Sequence, residues 1–135
     1  MIRDPFYLHV STYFYVRNQA ASGGMGAYRG GKLNPIVEND WSLEEYLRHN
    51  NQSCIRSFLP PNLALENYVD VLSNSFIYIG VSENLQKSVD LLAERLGFDS
   101  VEVPKKNVSD WSEEVPHGAR ERFEEANPLE TLIYR

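Results

Sequence analysis

At 135 residues, 42% hydrophobic and 24% charged, the chain is long enough for one domain with its own core and too apolar for intrinsic disorder. Its net charge of −6 argues against a general nucleic-acid binder, and no apolar run approaches the roughly 18 residues of a membrane span. The N-terminus does not read as a signal peptide, and the single cysteine, Cys54, excludes an internal disulfide and a cysteine-based zinc site.

The charge is unevenly spread. Residues 1–37 carry Arg3, Arg17, Arg29 and Lys32 against Asp4 alone, whereas the remainder holds nine basic and eighteen acidic residues. A local basic segment suited to an anionic ligand thus precedes an acidic remainder that reads as solvated surface.

Taken in chain order, Ile2-Arg3-Asp4-Pro5 reads as the end of a strand, a tight turn and the opening of a helix. Asp4 suits the N-cap, where a carboxylate accepts from free first-turn amides, and Pro5 suits the first helical position. A helix N-terminus attracts anions, and Arg3 adds a planar fork suited to phosphate. The following aromatic run ends in Arg17, and His9 within it reads as packed or hydrogen-bonded. Residues 20–35 are rich in glycine but fit no Walker A pattern, since Gly31-Lys32 is followed by Leu33. This stretch is either a functional lid, with Arg29 and Lys32 facing an acidic acceptor, or a surface excursion.

Trp41 to Leu47 is a short predicted helix in which Ser42 and Glu45 form a capping box. Asn50 to Leu59 follows and Pro60-Pro61 ends it; Cys54 here reads as a small buried hydrophobe. The spacing of Leu65, Val69 and Leu72 predicts a helix over 63–72, and Phe76 to Val81 reads as a buried strand. Ser82-Glu83 is expected to cap a helix with an apolar stripe of Leu85, Val89, Leu92 and Leu96, stopped by Gly97. Residues 101–115 form a polar loop carrying Lys105, Lys106, Asn107 and Ser109. A charged helix over 118–126 comes next, and Asn127-Pro128 reads as cap and first residue of a final helix to Tyr134. His49 and His117 lie in charged surface surroundings.

Arg3-Asp4-Pro5, five further residues and Ser11, then an aromatic tail to Arg17, resembles the 3′-phosphate-binding motif of sulfotransferases dependent on 3′-phosphoadenosine 5′-phosphosulfate (PAPS), in the carbohydrate and membrane-type branch. The segment FIYIGVSENLQKSVDLLAERLGF is similar to the family's glycine, glutamate and leucine-rich helix segment. Weaker likenesses cover the SLEEYL helix, the Asn50–Leu59 stretch one residue out of register, the Pro104-to-Ser109 element and the closing NPLETLIY, all in collinear order. The resemblance implies an α/β fold of P-loop NTPase type. This chain would be its C-terminal part, a single partial domain over 1–135, mostly helical with one or two central parallel strands.

The resemblance further implies that Arg3 and Ser11 bind the 3′-phosphate of PAPS, the co-substrate. Arg17, Arg29, Lys32 and Arg56 are candidate acceptor or cofactor contacts, Arg56 being otherwise a surface or ion-paired residue. The acceptor is a hydroxyl, in this branch of a carbohydrate, with no metal and no nucleic acid involved; nothing in the sequence has metal-ligand spacing. Bacterial members of the branch are commonly cytoplasmic and eukaryotic ones lie in the Golgi lumen, where Asn51-Gln52-Ser53 and Asn107-Val108-Ser109 would be glycosylation acceptors. The family's phosphosulfate loop, P-K-x-G-T-[ST], has no counterpart here, and no histidine matches the family's base, so the catalytic residues stay unassigned. The chain is therefore expected to be a fragment or a truncated reading frame, or else a non-catalytic remnant or anion-binding module.

A lone central strand beside several helices leaves sheet edges open, which favours association. The isolated chain is expected to melt broadly or to self-associate into a homo-oligomer. Circular dichroism melts combined with sedimentation check this, and a sharp cooperative transition of a clean monomer would overturn it.

Overall fold

The computed structural model describes residues 1–104 and 111–135 and, of Cys54, the backbone alone. Lys105, Lys106, Asn107 and Ser109 of the predicted polar loop, and the expected burial of Cys54, lie outside the described residues. The chain divides into two compact units. The first comprises Met1–Pro5, Cys54–Asn107 and Leu129–Arg135; the second comprises Phe6–Ser53 and Val108–Pro128.

The second unit is built on α1 (Pro5–Ala21), which begins where Asp4-Pro5 predicts. Phe6, Val10, Tyr13, Phe14 and Val16 are all buried and, with the buried His9 and Ser11, cover more than half of the helix circumference. They pack against Ile36 of α2 (Pro35–Glu38), Leu43 and Tyr46 of α3 (Leu43–His49), and Ala119 and Phe123 of α6 (Ala119–Ala126). Each valine, leucine, isoleucine or phenylalanine among them contributes about 1.5–3 kcal/mol on burial. Ser42 caps α3 in the expected box, its hydroxyl accepting from the Glu45 amide while the Glu45 carboxylate accepts from the Ser42 amide.

Polar side chains peg this apolar unit together. His9 is fully enclosed, stacked on Tyr46 at 4.7 Å and tilted against Phe123 at 5.1 Å. Its Nε2 lies 2.5 Å from the Asn50 carbonyl, which can only accept, so Nε2 carries the proton. Nδ1 is then the acceptor for the Tyr46 hydroxyl at 3.2 Å, and that hydroxyl accepts in turn from Asn50 Nδ2. Asn127, predicted to cap the final helix, has another use. Its Oδ1 accepts from the Ser53 amide at 2.8 Å, and its Nδ2 donates to the carbonyls of Asn51 and Phe123. The buried amide is thereby satisfied by the backbone of 51–53, and that demand outweighs a cap.

The glycine-rich stretch is ordered. After a turn at 22–24 and a short 3-10 turn at Met25–Ala27, β1 (Tyr28–Arg29) and β2 (Lys32–Leu33) form an antiparallel hairpin. Gly30 and Gly31 have φ of 59° and 78°, the pair of positive values that a two-residue I′ turn needs.

The first unit has a small core of Leu63, Leu72 and Leu129, bordered by Leu59, Tyr68, Val71, Ile79 and Ile133. Its helix α4 spans Tyr68–Ser75, not 63–72. Upstream, the Asn67 side chain accepts from the Ala64 amide and donates to the Asn62 carbonyl, which holds 62–67 in turns instead of helix. Leu65 and Val69 are consequently exposed. Phe76 to Val81 is not a buried strand: Ile77 is 68% exposed, and only Val81 pairs, in a single parallel bridge with Ile2. The Ile2 amide donates to Gly80 and the Ile2 carbonyl accepts from Ser82, the slanted pattern of a parallel ladder. An apolar run becomes a strand only beside a partner, and among the described residues one bridge is all it has.

In the same unit α5 (Leu85–Leu96) ends at Gly97 with φ 74°, as predicted. Ser82–Asn84 forms a 3-10 turn ahead of it instead of a cap, and Leu85 and Leu96 at the ends of the predicted stripe are exposed. The closing helix α7 runs Pro128–Tyr134. The molecule is thus mostly helical; among the described residues its one sheet is the antiparallel hairpin, and the expected parallel strands reduce to the Ile2–Val81 bridge. No described helix is long and apolar enough to cross a membrane.

Burial lowers the pKa of His9, only partly opposed by its bond to Asn50. The folded chain therefore binds this proton less readily than the unfolded chain does. The stability contributed by His9 is full above the unfolded value of 6.5 and is lost as pH falls below it. Thermal melts between about pH 7.5 and 5 should show a falling Tm, and His9→Gln should flatten that fall. An equal slope in the variant would assign the dependence to other groups.

Candidate functional site

The N-terminal motif of the first unit follows the parallel bridge directly. The Ser82 hydroxyl donates to the Ile2 carbonyl at 2.9 Å, and the Asp4 amide donates to Glu83 Oε1 at 2.9 Å. The Ser88 hydroxyl joins this corner, accepting from the Val81 amide and standing 2.9 Å from the Val81 carbonyl. Gly80 is required there, because a Cβ would come within 2.9 Å of Ser88 Cβ and of the Tyr78 ring. The sequence therefore does yield an extended segment, a turn and a helix start at Arg3-Asp4-Pro5, with Asp4 buried. Arg3 is half-buried, and its guanidinium has no ion pair or hydrogen bond among the described residues. Glu83 is the residue that sequence reading missed; it looked like a helix cap, and it braces the turn of the motif instead.

Ser11 belongs to the second unit, on α1, so the two predicted phosphate contacts fall in different units. Ser11 is 8% exposed, and its Oγ is the one buried side-chain polar atom without a hydrogen-bond partner among the described residues. The neighbouring Thr12 makes the usual back-bond to the Leu8 carbonyl at 2.9 Å. Tyr7 and Phe14, before and after Ser11 on its side of the helix, both pack on Trp111, at 5.6 Å and 5.9 Å. Arg120 lies over the Tyr7 ring at 5.1 Å.

At the other end of α1 a cleft of about 470 Å³ is lined by Tyr13, Phe14, Arg17, Asn18, Ser112 and Glu113, among others. Glu113 organises it. Its Oε1 accepts from the Tyr13 hydroxyl at 2.8 Å and its Oε2 from the Leu43 amide at the start of α3. Burial first, then the hydrogen bond and charge of Glu113, push the Tyr13 pKa up to about 12, so this phenol stays protonated at neutral pH. Arg17 is not open to a ligand on all sides: it pairs with Asp40 at 2.5 Å, a half-exposed contact worth little on its own. Nothing in the sequence signals that Glu113 meets Tyr13, 100 positions earlier.

Arg29 and Lys32 face each other across the hairpin as an exposed like-charged pair without an ion pair among the described residues. Arg56, in a 3-10 turn at Cys54–Phe58 of the first unit, donates to the Leu63 carbonyl at 3.0 Å. Its guanidinium therefore bridges a turn, the surface role open to it from the sequence. Both ring nitrogens of His9 are committed, and no group of three or more potential metal ligands occurs among the described residues.

No protein-family model, curated protein or solved structure matches this chain.

An orphaned hydroxyl contributes nothing to the ligand-free fold that a methyl group would lose. Ser11→Ala is accordingly expected to leave Tm unchanged or raise it slightly, within about 1 kcal/mol, in thermal or urea melts. A loss of more than about 1 kcal/mol would reveal a structural partner for Ser11 and remove the reason to hold it for a ligand.

Proposed function

We propose that this chain is the 3′-phosphate-binding part of a P-loop-type, PAPS-dependent sulfotransferase domain that modifies a hydroxyl, of a carbohydrate acceptor. One observation carries the reading. Of the buried polar side chains on α1, His9 and Tyr13 are bonded within the protein and Ser11 is not. Native interiors rarely leave such a group unpaired, and a bound ligand is one way to satisfy it. Arg3, with its guanidinium unpaired at the opening of the same motif, supports it, as does the parallel bridge running into the helix start.

PAPS, when bound, supplies the sulfuryl group and leaves as adenosine 3′,5′-bisphosphate. The chain's own part is binding: a planar fork from Arg3 and a hydroxyl from Ser11, each in its own unit, are the groups that the motif offers to a 3′-phosphate. Arg29 and Lys32, carried on an exposed hairpin, suit an acidic acceptor better than Arg17 and Arg56, which already have partners. A second reading, an anion- or nucleotide-binding module without transfer activity, is favoured by His9, whose engaged nitrogens leave it no role as a base.

Calorimetric titration separates these readings from a protein with no such site. Adenosine 3′,5′-bisphosphate should bind more tightly than adenosine 5′-monophosphate, and Arg3→Ala should weaken it by about 10-fold or more, the worth of a charge-assisted bond. Equal affinity of wild type and variant would remove Arg3 from the site. Sulfuryl transfer from PAPS to a carbohydrate panel distinguishes the enzyme from the binding module.

A further inference from the structure

We propose that a pocket of the second unit, between the end of α3 and the start of α6, binds a small oxyanion carried on an apolar body, a phosphate or sulfate monoester. The concavity is about 180 Å³ and is lined by Leu47, Arg48, Asn51, Ala119, Arg122 and Phe123. It shares no residue with the Arg3 and Ser11 motif, and it stands whether or not the transfer reading does.

The chemistry of the lining is one-sided. Two arginines from different helices line one small concavity, in a chain whose net charge is −6. Arg122 has no ion pair or hydrogen bond from its side chain among the described residues. Its Nη1 folds back over the first turn of α6, 3.2 Å from where a Cβ on Gly118 would stand. Gly118 is the N-cap there and provides no side-chain acceptor, so the guanidinium and the positive end of the helix lie together. Arg48 spends Nη2 on Glu44 and keeps its other donors. Asn51 adds an exposed amide, and Leu47 and Phe123 form an apolar floor.

No carboxylate lines the pocket, although Glu44 pairs with Arg48 and Glu121 and Glu125 flank Arg122 in sequence. Glu44 answers the charge of Arg48, whereas that of Arg122 is unanswered among the described residues; an anion in the hollow answers it and can use the bidentate geometry of arginine. The acidic neighbours limit the gain, so modest affinity is expected, with selectivity for esters that also fill the floor.

The test is titration of the full chain, by calorimetry and by amide NMR, with inorganic phosphate, phenyl phosphate and phenyl sulfate at constant ionic strength set by chloride. The expected result is saturable binding that shifts Arg48, Ala119 and Arg122, tighter for the phenyl esters. The two esters decide whether phosphate or sulfate is preferred. Arg122→Gln, an exchange on an exposed helix position, should weaken the binding that shifts Arg48 and Ala119 by about 10-fold or more. Non-saturable binding, or equal binding by Arg122→Gln and wild type, would overturn the proposal. So would binding lost in Arg3→Ala and kept in Arg122→Gln, which would assign the anion to the N-terminal motif.

Discussion

The second unit rests on one constraint: α1 is buried over more than half its circumference, so every polar group on that face has to be satisfied from inside the protein. Two of them are. His9 is held between the Asn50 carbonyl and the Tyr46 hydroxyl, and Tyr13 donates to Glu113. These bonds do more than meet the cost of burial. They tie α1 to the end of α3, and through Glu113 to the first amide of α3 as well. Asn127 does the same for residues 51–53 and the end of α6. A unit whose apolar contacts are non-directional thereby acquires fixed positions for its helices.

Ser11 is the exception on that face, and the exception is what gives the site its interest. A serine in a helix can always bond back to the carbonyl four residues earlier, as Thr12 does, so an unpaired Ser11 is not forced by helical geometry. Its companion in the motif, Arg3, is a half-buried cation without a partner among the described residues. The Arg48 and Arg122 pocket follows a related logic on the surface: Arg48 is paired with Glu44, and Arg122 has no side-chain partner among the described residues.

The first unit contrasts with the second in its energetics. Its core comprises Leu63, Leu72 and Leu129, while Ile77, Phe98 and Val101 remain largely exposed. Apolar area left in water contributes none of the roughly 25 cal/mol per Å² that burial provides. Order at its corner comes instead from directional bonds: the Ile2–Val81 bridge, the Ser82 and Ser88 hydroxyls, and Glu83 on the Asp4 amide.

Features governed by neighbours in sequence were legible without a structure. The start of α1 at Pro5, the Ser42 and Glu45 capping box, and the Gly97 stop depend on one turn of backbone and its own side chains. What failed depended on partners far along the chain. Phe76 to Val81 has the composition of a buried strand and, among the described residues, lacks the neighbouring strands that would make it one. Leu65 and Val69 have helical spacing, but the Asn67 side chain diverts the backbone before a helix can start. The site divides the same way. The sequence by itself named Arg3 and Ser11 as candidates for an anion, because an arginine fork and a serine hydroxyl carry that chemistry wherever they stand. Only the tertiary structure decided which polar groups are already spent, on Glu113, Asp40, Asn50 or Leu63, and which are not. Hydrogen-bond satisfaction is a property of enclosure, and enclosure is made by contacts between residues as distant as Tyr13 and Glu113.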